Sequence, residues 1–303
     1  MSDWQERITR ETEPAIRAEH DLRYRIAAPL ITGSASWCDV GCGTGFAAAR
    51  ALGERFDGLA VLADRDEAAV SQARAIVRAG TVEGLTADLV LPADLDRLRG
   101  ALLAGPGPRT ATCFEVIEHL PTFLPLLDLL CELAAEHETT VLLSVPNDAF
   151  WAIENPYHET MWGAGALEEL RGLLPGDAVV VHQLALAGSG VVFEAGAQHV
   201  EAAVQLDDGV PTHFLAAFGP RAGELQATVA VEQVDLDEQR AWVRQRESDL
   251  LHLLAERDGW RDYIHSLEDR LSLPRSGTPE RRAYDEGHGG SSRRSLRRRL
   301  LRR

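Results

Sequence analysis

Lysine is absent from this 303-residue chain: all 31 basic residues are arginine. The absence reflects coding composition and carries no chemistry of its own. No apolar run approaches the roughly 18 residues that a helix needs to cross a bilayer. The opening, MSDWQERITRETEP, lacks a basic stretch followed by an apolar one, so the expected compartment is the cytoplasm. Four cysteines, at 38, 42, 113 and 131, form no CxxC pair and have no zinc-ligand spacing, and they read as reduced thiols. No internal repeat is present. What is there is ordinary globular composition, 45% hydrophobic and 26% charged, which excludes a wholly disordered or collagen-like chain.

The net charge of −16 is unevenly spread. Ten arginines follow residue 273 against Glu280, Asp285 and Glu286, so this tail carries +7 and the body −23. The body repels polyanions, which argues against a nucleic-acid partner; only the tail attracts anions.

From Ser36 to about Gly219, short apolar runs alternate with stretches of helical spacing. The runs are 36–40, 59–63, 82–87, 110–115 and 140–145, with helices such as 67–78 and 124–135 between them. Strand then helix, repeated, predicts an α/β fold: a doubly wound, mostly parallel sheet, completed to seven strands by β-rich segments at 179–186, 190–194 and 213–218 that suit an antiparallel edge. Ahead of it, residues 1–34 read as a helical cap, with a helix from Pro14 to Ile31 and Thr12 as its capping residue. Residues 35–222 read as one domain built on this sheet.

Residues 223–272 read differently. Between Leu225 and Leu271 there is one glycine and no proline, and a seven-residue count aligns Val229, Leu236, Val243, Leu250, Ile264 and Leu271, with Arg257 the exception. The second seam position holds Leu225, Leu253, Trp260 and Leu267, with polar Glu232, Gln239 and Arg246 between. The pattern predicts a coiled-coil-like helix of about 47 residues, roughly 70 Å long, and a homodimer through it, drawn as parallel. Residues 273–303 read as a disordered Arg-rich tail, which a dimer would bring to anionic lipid as a peripheral contact at the inner membrane face.

The sharpest motif is Cys38-Asp39-Val40-Gly41-Cys42-Gly43-Thr44-Gly45, ending the first strand and opening a helix. Glycines here permit a tight turn and a close ligand approach. A dinucleotide fingerprint would continue with glycine at 46, where Phe46 stands. Asp39 just before the turn suits a cationic ligand better than a pyrophosphate.

Over residues 35–219 the chain resembles the class I S-adenosylmethionine-dependent methyltransferases. The resemblance implies that Asp39, Gly41, Cys42, Gly43 and Gly45 lie at the amino-acid end of that cofactor. It implies that Asp64, with Arg65 beside it, holds the ribose hydroxyls, and that Asp88 faces the adenine amino group. Asp66 fits a helix cap instead. EVIEHL at 115–120 and SVPN at 144–147 are similar to the branch containing ubiquinone-pathway, glycan and small-RNA terminal methyltransferases. That likeness adds Glu115 to the cofactor set and makes His119 the candidate base, with His158 in NPYHETMW as runner-up. In the small-RNA group, an E-x-x-E-H stretch and a later histidine bind a divalent metal, matched here by Glu115, Glu118, His119 and His158. EVIEHL also occurs in metal-free relatives, so no metal is assigned. Glu19-His20-Asp21-Leu22-Arg23-Tyr24 resembles an EHxxRY stretch that precedes the cofactor motif in glycan-linked members; covering of the cofactor and simple helix packing account for Tyr24 equally well. The expected reaction is O-methylation of a sugar or glycan precursor. The alternatives are a quinone-like or other small-molecule acceptor, or an assembly module that binds the cofactor with little activity.

Overall fold

The computed structural model describes residues 7–12, 14–151, 155–163, 165–184, 210–226, 236–271 and 273. The strand expected at 190–194 and the Arg-rich tail lie outside the described residues. Strands β1 (Ser36–Val40), β2 (Leu59–Asp64), β3 (Thr81–Thr86), β4 (Arg109–Phe114), β5 (Thr139–Pro146), β6 (Val179–Gln183) and β7 (His213–Phe218) form one sheet in the order β3-β2-β1-β4-β5-β7-β6. The first five are parallel, as the alternating pattern predicts. The expected antiparallel edge closes the sheet beyond β5. β7 runs antiparallel between β5 and β6, so β6 forms that edge.

Every residue of β1 and β5 is buried, which matches the unbroken apolar runs of strands covered on both faces. α1 (Pro14–Thr32), α2 (Phe46–Leu52) and α3 (Glu67–Ile76) cover one face; α4 (Pro92–Ala104), α5 (Leu124–Glu136) and α7 (Ala166–Leu173) cover the other. Alternate strand residues point to opposite layers. Cys38 and Val40 join the α4–α5–α7 side, while Trp37 joins the α1–α2–α3 side. Trp37 is 1% exposed and donates its indole N–H to Thr112 Oγ1 at 2.9 Å, so its burial, worth about 3 kcal/mol, leaves no polar atom unpaired.

Strand order reverses between β1 and β4, so their carboxyl ends open a crevice at the switch point. The short helix α6 (Asp148–Trp151) and the segment 155–163 follow β5 at the same end of the sheet.

Two compact units are present, Met1–Gln233 and Val234–Arg303. The expected start of the long helix at Leu225 differs from the structure: a 3₁₀ turn spans Ala222–Glu224, and Leu225 packs against the layer of α1–α3. Arg221 anchors this end, donating to the carbonyl of Leu30 at 3.0 Å while its N–H bonds Thr140 Oγ1 at 3.1 Å. In the second unit, α8 (Leu236–Arg270) is a 35-residue helix. No helix among the described residues is long and apolar enough to cross a membrane.

Candidate active site

Three glycines of the 41–45 loop have positive φ: +76° at Gly41, +52° at Gly43 and +71° at Gly45. Two of them are packed. A Cβ on Gly41 would lie 2.3 Å from Val116 Cγ2, and one on Gly45 would lie 2.8 Å from Ala73. Gly43 differs, because a Cβ there would meet nothing within 4 Å, so its bare backbone faces open space at the crevice. The N–H groups of Gly41 and Cys42 both donate to the Ala63 carbonyl, at 2.8 and 2.9 Å, tying the loop to the end of β2. Cys42 is buried, with Sγ turned to the carbonyl of Gly43.

Asp64, at the end of β2, accepts from the Gly43 N–H at 3.0 Å, the Asp66 N–H at 2.9 Å and Arg7 Nη2 at 3.2 Å. A carboxylate offers about four acceptor positions, so capacity for one more donor remains. Arg7 also bonds Asp66, and the Thr44 hydroxyl donates to the Ile8 carbonyl at 2.7 Å, so residues 7–12 form a strap across the glycine loop. Thr12 serves this strap: its hydroxyl accepts from the Thr9 N–H at 2.9 Å, in place of the forward cap expected for α1. Asp66 caps α3 as expected, accepting from the N–H groups of Ala68 and Ala69. Arg65 is exposed. Asp88, half-buried after β3, accepts from the Val90 N–H at 3.2 Å.

Asp39 sits beneath the crevice, not on its surface. It shares the side of β1 that Trp37 occupies, is 1% exposed, and accepts from Tyr24 Oη at 2.9 Å and Thr112 Oγ1 at 2.6 Å. Burial pushes its carboxyl from the ordinary 3.8 up to about 7, although both hydroxyl bonds oppose the rise. Tyr24 therefore belongs to the support of the glycine turn.

Glu115 follows β4 at a φ of +55°, a conformation costly for a residue with a Cβ. Its carboxylate accepts from Ser144 Oγ at 2.6 Å and pairs with His213 Nε2 at 3.3 Å and Arg23 at 3.9 Å. Burial would raise its pKa, but Arg23, His213 and His20 outweigh that effect and hold the carboxyl well below the usual range. His20 is itself pushed well below its ordinary value, chiefly by burial and then by Arg23.

Three of the four residues considered as metal donors converge. One ligand atom each from Glu118, His119 and His158 lies within 4.8 Å of the others, and the two imidazole centroids are 5.0 Å apart. His119 Nδ1 lies 3.1 Å from the Tyr157 carbonyl, and His158 Nδ1 lies 3.1 Å from Asp148 Oδ1. With Nδ1–H donated in each ring, the lone pair lies on Nε2. Asp148 also accepts from the Trp162 N–H at 2.6 Å, which fixes the loop carrying His158. Glu118 is fully buried and neither carboxyl oxygen has a hydrogen-bond partner among the described residues. Burial, reinforced by the charge of Glu115, drives its carboxyl well above the usual range.

Sequence reasoning missed Arg7, Asp148 and His213. Asp148 directly follows SVPN and was findable there; Arg7 and His213 carry no local signal, since their roles exist only once the strap and β7 are in place.

The arrangement combines an open glycine backbone, an acid at each of two adjacent strand ends and a pair of imidazoles at the next two. It fits S-adenosylmethionine better than a dinucleotide: Gly43 leaves room for close approach, and Asp64 keeps an acceptor position. A family model described as a methyltransferase domain matches residues 10–184. A search of curated protein sequences returned no match. Among solved structures, the small RNA methyltransferase HEN1 is similar at 15% identity and a TM-score of 0.47, over 75% of this chain, which spans only 28% of that one. An S-adenosylmethionine-dependent methyltransferase from Archaeoglobus fulgidus is similar at 14% identity and a TM-score of 0.42, over 67% of this chain and 93% of that one. The N-methyltransferase NodS from Bradyrhizobium japonicum WM9 is similar at 13% identity and a TM-score of 0.40, over 69% and 97%. Likeness at this level says nothing of acceptor. With the family model covering more than half of the chain and the crevice built as described, the chain belongs to the class I methyltransferases and is an S-adenosylmethionine-dependent enzyme.

Proposed function

We propose that the enzyme methylates a hydroxyl of a sugar or glycan precursor, with His119 as the base and His158 beside it. The observation that carries this reading is the pair of oriented imidazoles that follow β4 and β5, at the carboxyl ends of the strands. S-adenosylmethionine, when bound, supplies an electrophilic methyl group. Gly41, Cys42, Gly43 and Gly45 hold its amino-acid end, Asp64 and Arg65 its ribose, and Asp88 its adenine, while Asp39 and Glu115 act from behind the loop. His119, whose side chain is 32% exposed against 9% for His158, meets the acceptor and takes its hydroxyl proton on Nε2. His158, oriented by Asp148, lines the same wall.

Phe150, Trp151 and Tyr157 are each about two-fifths exposed on the segment after β5. Flat apolar faces of this kind suit the C–H face of a sugar ring, and equally a quinone-like acceptor, which is the runner-up. The −23 body charge disfavours RNA. In an acceptor screen with labelled methyl donor, neutral polyhydroxyl acceptors should be methylated. His119→Ala should lower turnover about 10²-fold or more with cofactor affinity retained. Equal turnover in the variant would remove His119 from the base role.

Glu118 favours a second reading. A buried, unpartnered carboxyl beside two imidazoles whose other nitrogens are tied to a carboxylate and a carbonyl fits a mixed oxygen–nitrogen donor set. Glu118, His119 and His158 would hold a divalent cation that polarises the acceptor hydroxyl. Loss of activity on chelation, with recovery on adding manganese and a manganese-binding isotherm abolished by Glu118→Gln, would establish it.

A further inference from the structure

Exposed apolar side chains are scattered over the catalytic unit, as at Leu91, Leu124 and Trp151, but along α8 they are concentrated. Leu250, Leu253, Trp260, Ile264 and Leu271, on the two seam positions of the seven-residue pattern, are between 44% and 67% exposed, and Leu251 beside the seam is 62% exposed. Leu267 completes the stripe, and Arg257 interrupts it. A face of this kind needs a second helix to cover it.

The residues along the stripe specify which helix. We propose that α8 pairs with α8 of a second copy of this chain, antiparallel, about a twofold axis midway between Asp258 and Gly259. In this register Leu250 meets the partner's Leu267, and Leu253 meets the partner's Ile264. Arg257 meets the partner's Trp260, where a guanidinium over an indole face is attractive. The twofold axis repeats each pair, so every central layer is either apolar on apolar or cation on aromatic.

The flanks agree with the same register. Asp249 lies opposite the partner's Arg270, and Glu256 opposite the partner's Tyr263, whose hydroxyl can donate to the carboxylate. Glu247 stands level with the partner's Glu268, which is already buried at 5% exposed, at the ends of the pairing. A parallel pairing fails at the centre: it stacks Arg257 on Arg257 and Arg246 on Arg246, with Glu256 to Arg261 as its only ion pair. An antiparallel dimer is thus proposed in place of the parallel one expected from the heptad count.

The test uses the full chain. Light scattering should give twice the chain mass at micromolar concentration, and Leu253→Glu with Ile264→Glu should give a single chain mass with S-adenosylhomocysteine affinity unchanged. Orientation is read from thiols, since Cys38, Cys42 and Cys113 are buried and Cys131 is only partly accessible. Leu253→Cys and Ile264→Cys proteins, mixed and mildly oxidised, should cross-link to each other, and neither should cross-link alone. A single chain mass for the unmodified protein would overturn the proposal. So would self-cross-linking of Leu253→Cys, which requires parallel strands.

Discussion

Asp39 shows how a residue can be correctly flagged and still work differently from its expected role. Its position before the glycine turn is legible, but its direction follows from strand alternation, which turns it toward Tyr24 and away from the crevice. Its pKa, raised to about 7, has a consequence for stability. Between about pH 4 and 7 the native state holds a proton that the unfolded chain releases. Stability therefore falls as pH rises through that window, by a few kcal/mol at most. Asp39→Asn, which keeps an acceptor for Thr112 and Tyr24, should remove that slope. Melting temperatures of both proteins from pH 5 to 8 should converge at the acid end and separate toward pH 8, with the variant higher; parallel curves would contradict the shift. Glu115 and His213 were less accessible to reading, because their pairing joins β4 to β7 across nearly 100 residues of chain.

Among the elements, the glycine loop is the most constrained. Gly41 combines a positive φ with a neighbour 2.3 Å from where a Cβ would stand, so Gly41→Ala should cost about 1 kcal/mol for the backbone and more for the displaced Val116. Denaturant unfolding should show that Val116→Ala restores the steric part in the double variant but not the backbone part. Full additivity of the two single changes would mean that Val116 is not the obstacle. Positions of the central strands were legible because β4 and β5, buried almost throughout, write largely apolar runs, and β7 was placed at 213–218 as found. Its location between β5 and β6 was not, since hydrogen-bond order leaves no periodic mark. The start of the long helix was misplaced for a related reason. Leu225 satisfies a heptad count equally well when it packs on the sheet layer.

For the whole molecule, the catalytic unit holds the crevice and the second unit carries the exposed seam of α8. The cofactor half of the site was readable, because glycines at fixed spacing and acids at strand ends are local features. The acceptor half was readable in part: Glu118, His119 and His158 were named from their motifs and converge, but Asp148, which orients His158, was not. The central claim is that the crevice at Gly43 and Asp64 holds the methyl donor. Calorimetric titration of the full chain with S-adenosylhomocysteine tests it most directly. One molecule should bind per chain, and Asp64→Ala, its fold checked by circular dichroism, should weaken binding at least about tenfold, the loss of a charged hydrogen-bond acceptor. Absence of binding to the unmodified protein, or equal affinity in the folded variant, would contradict the assignment.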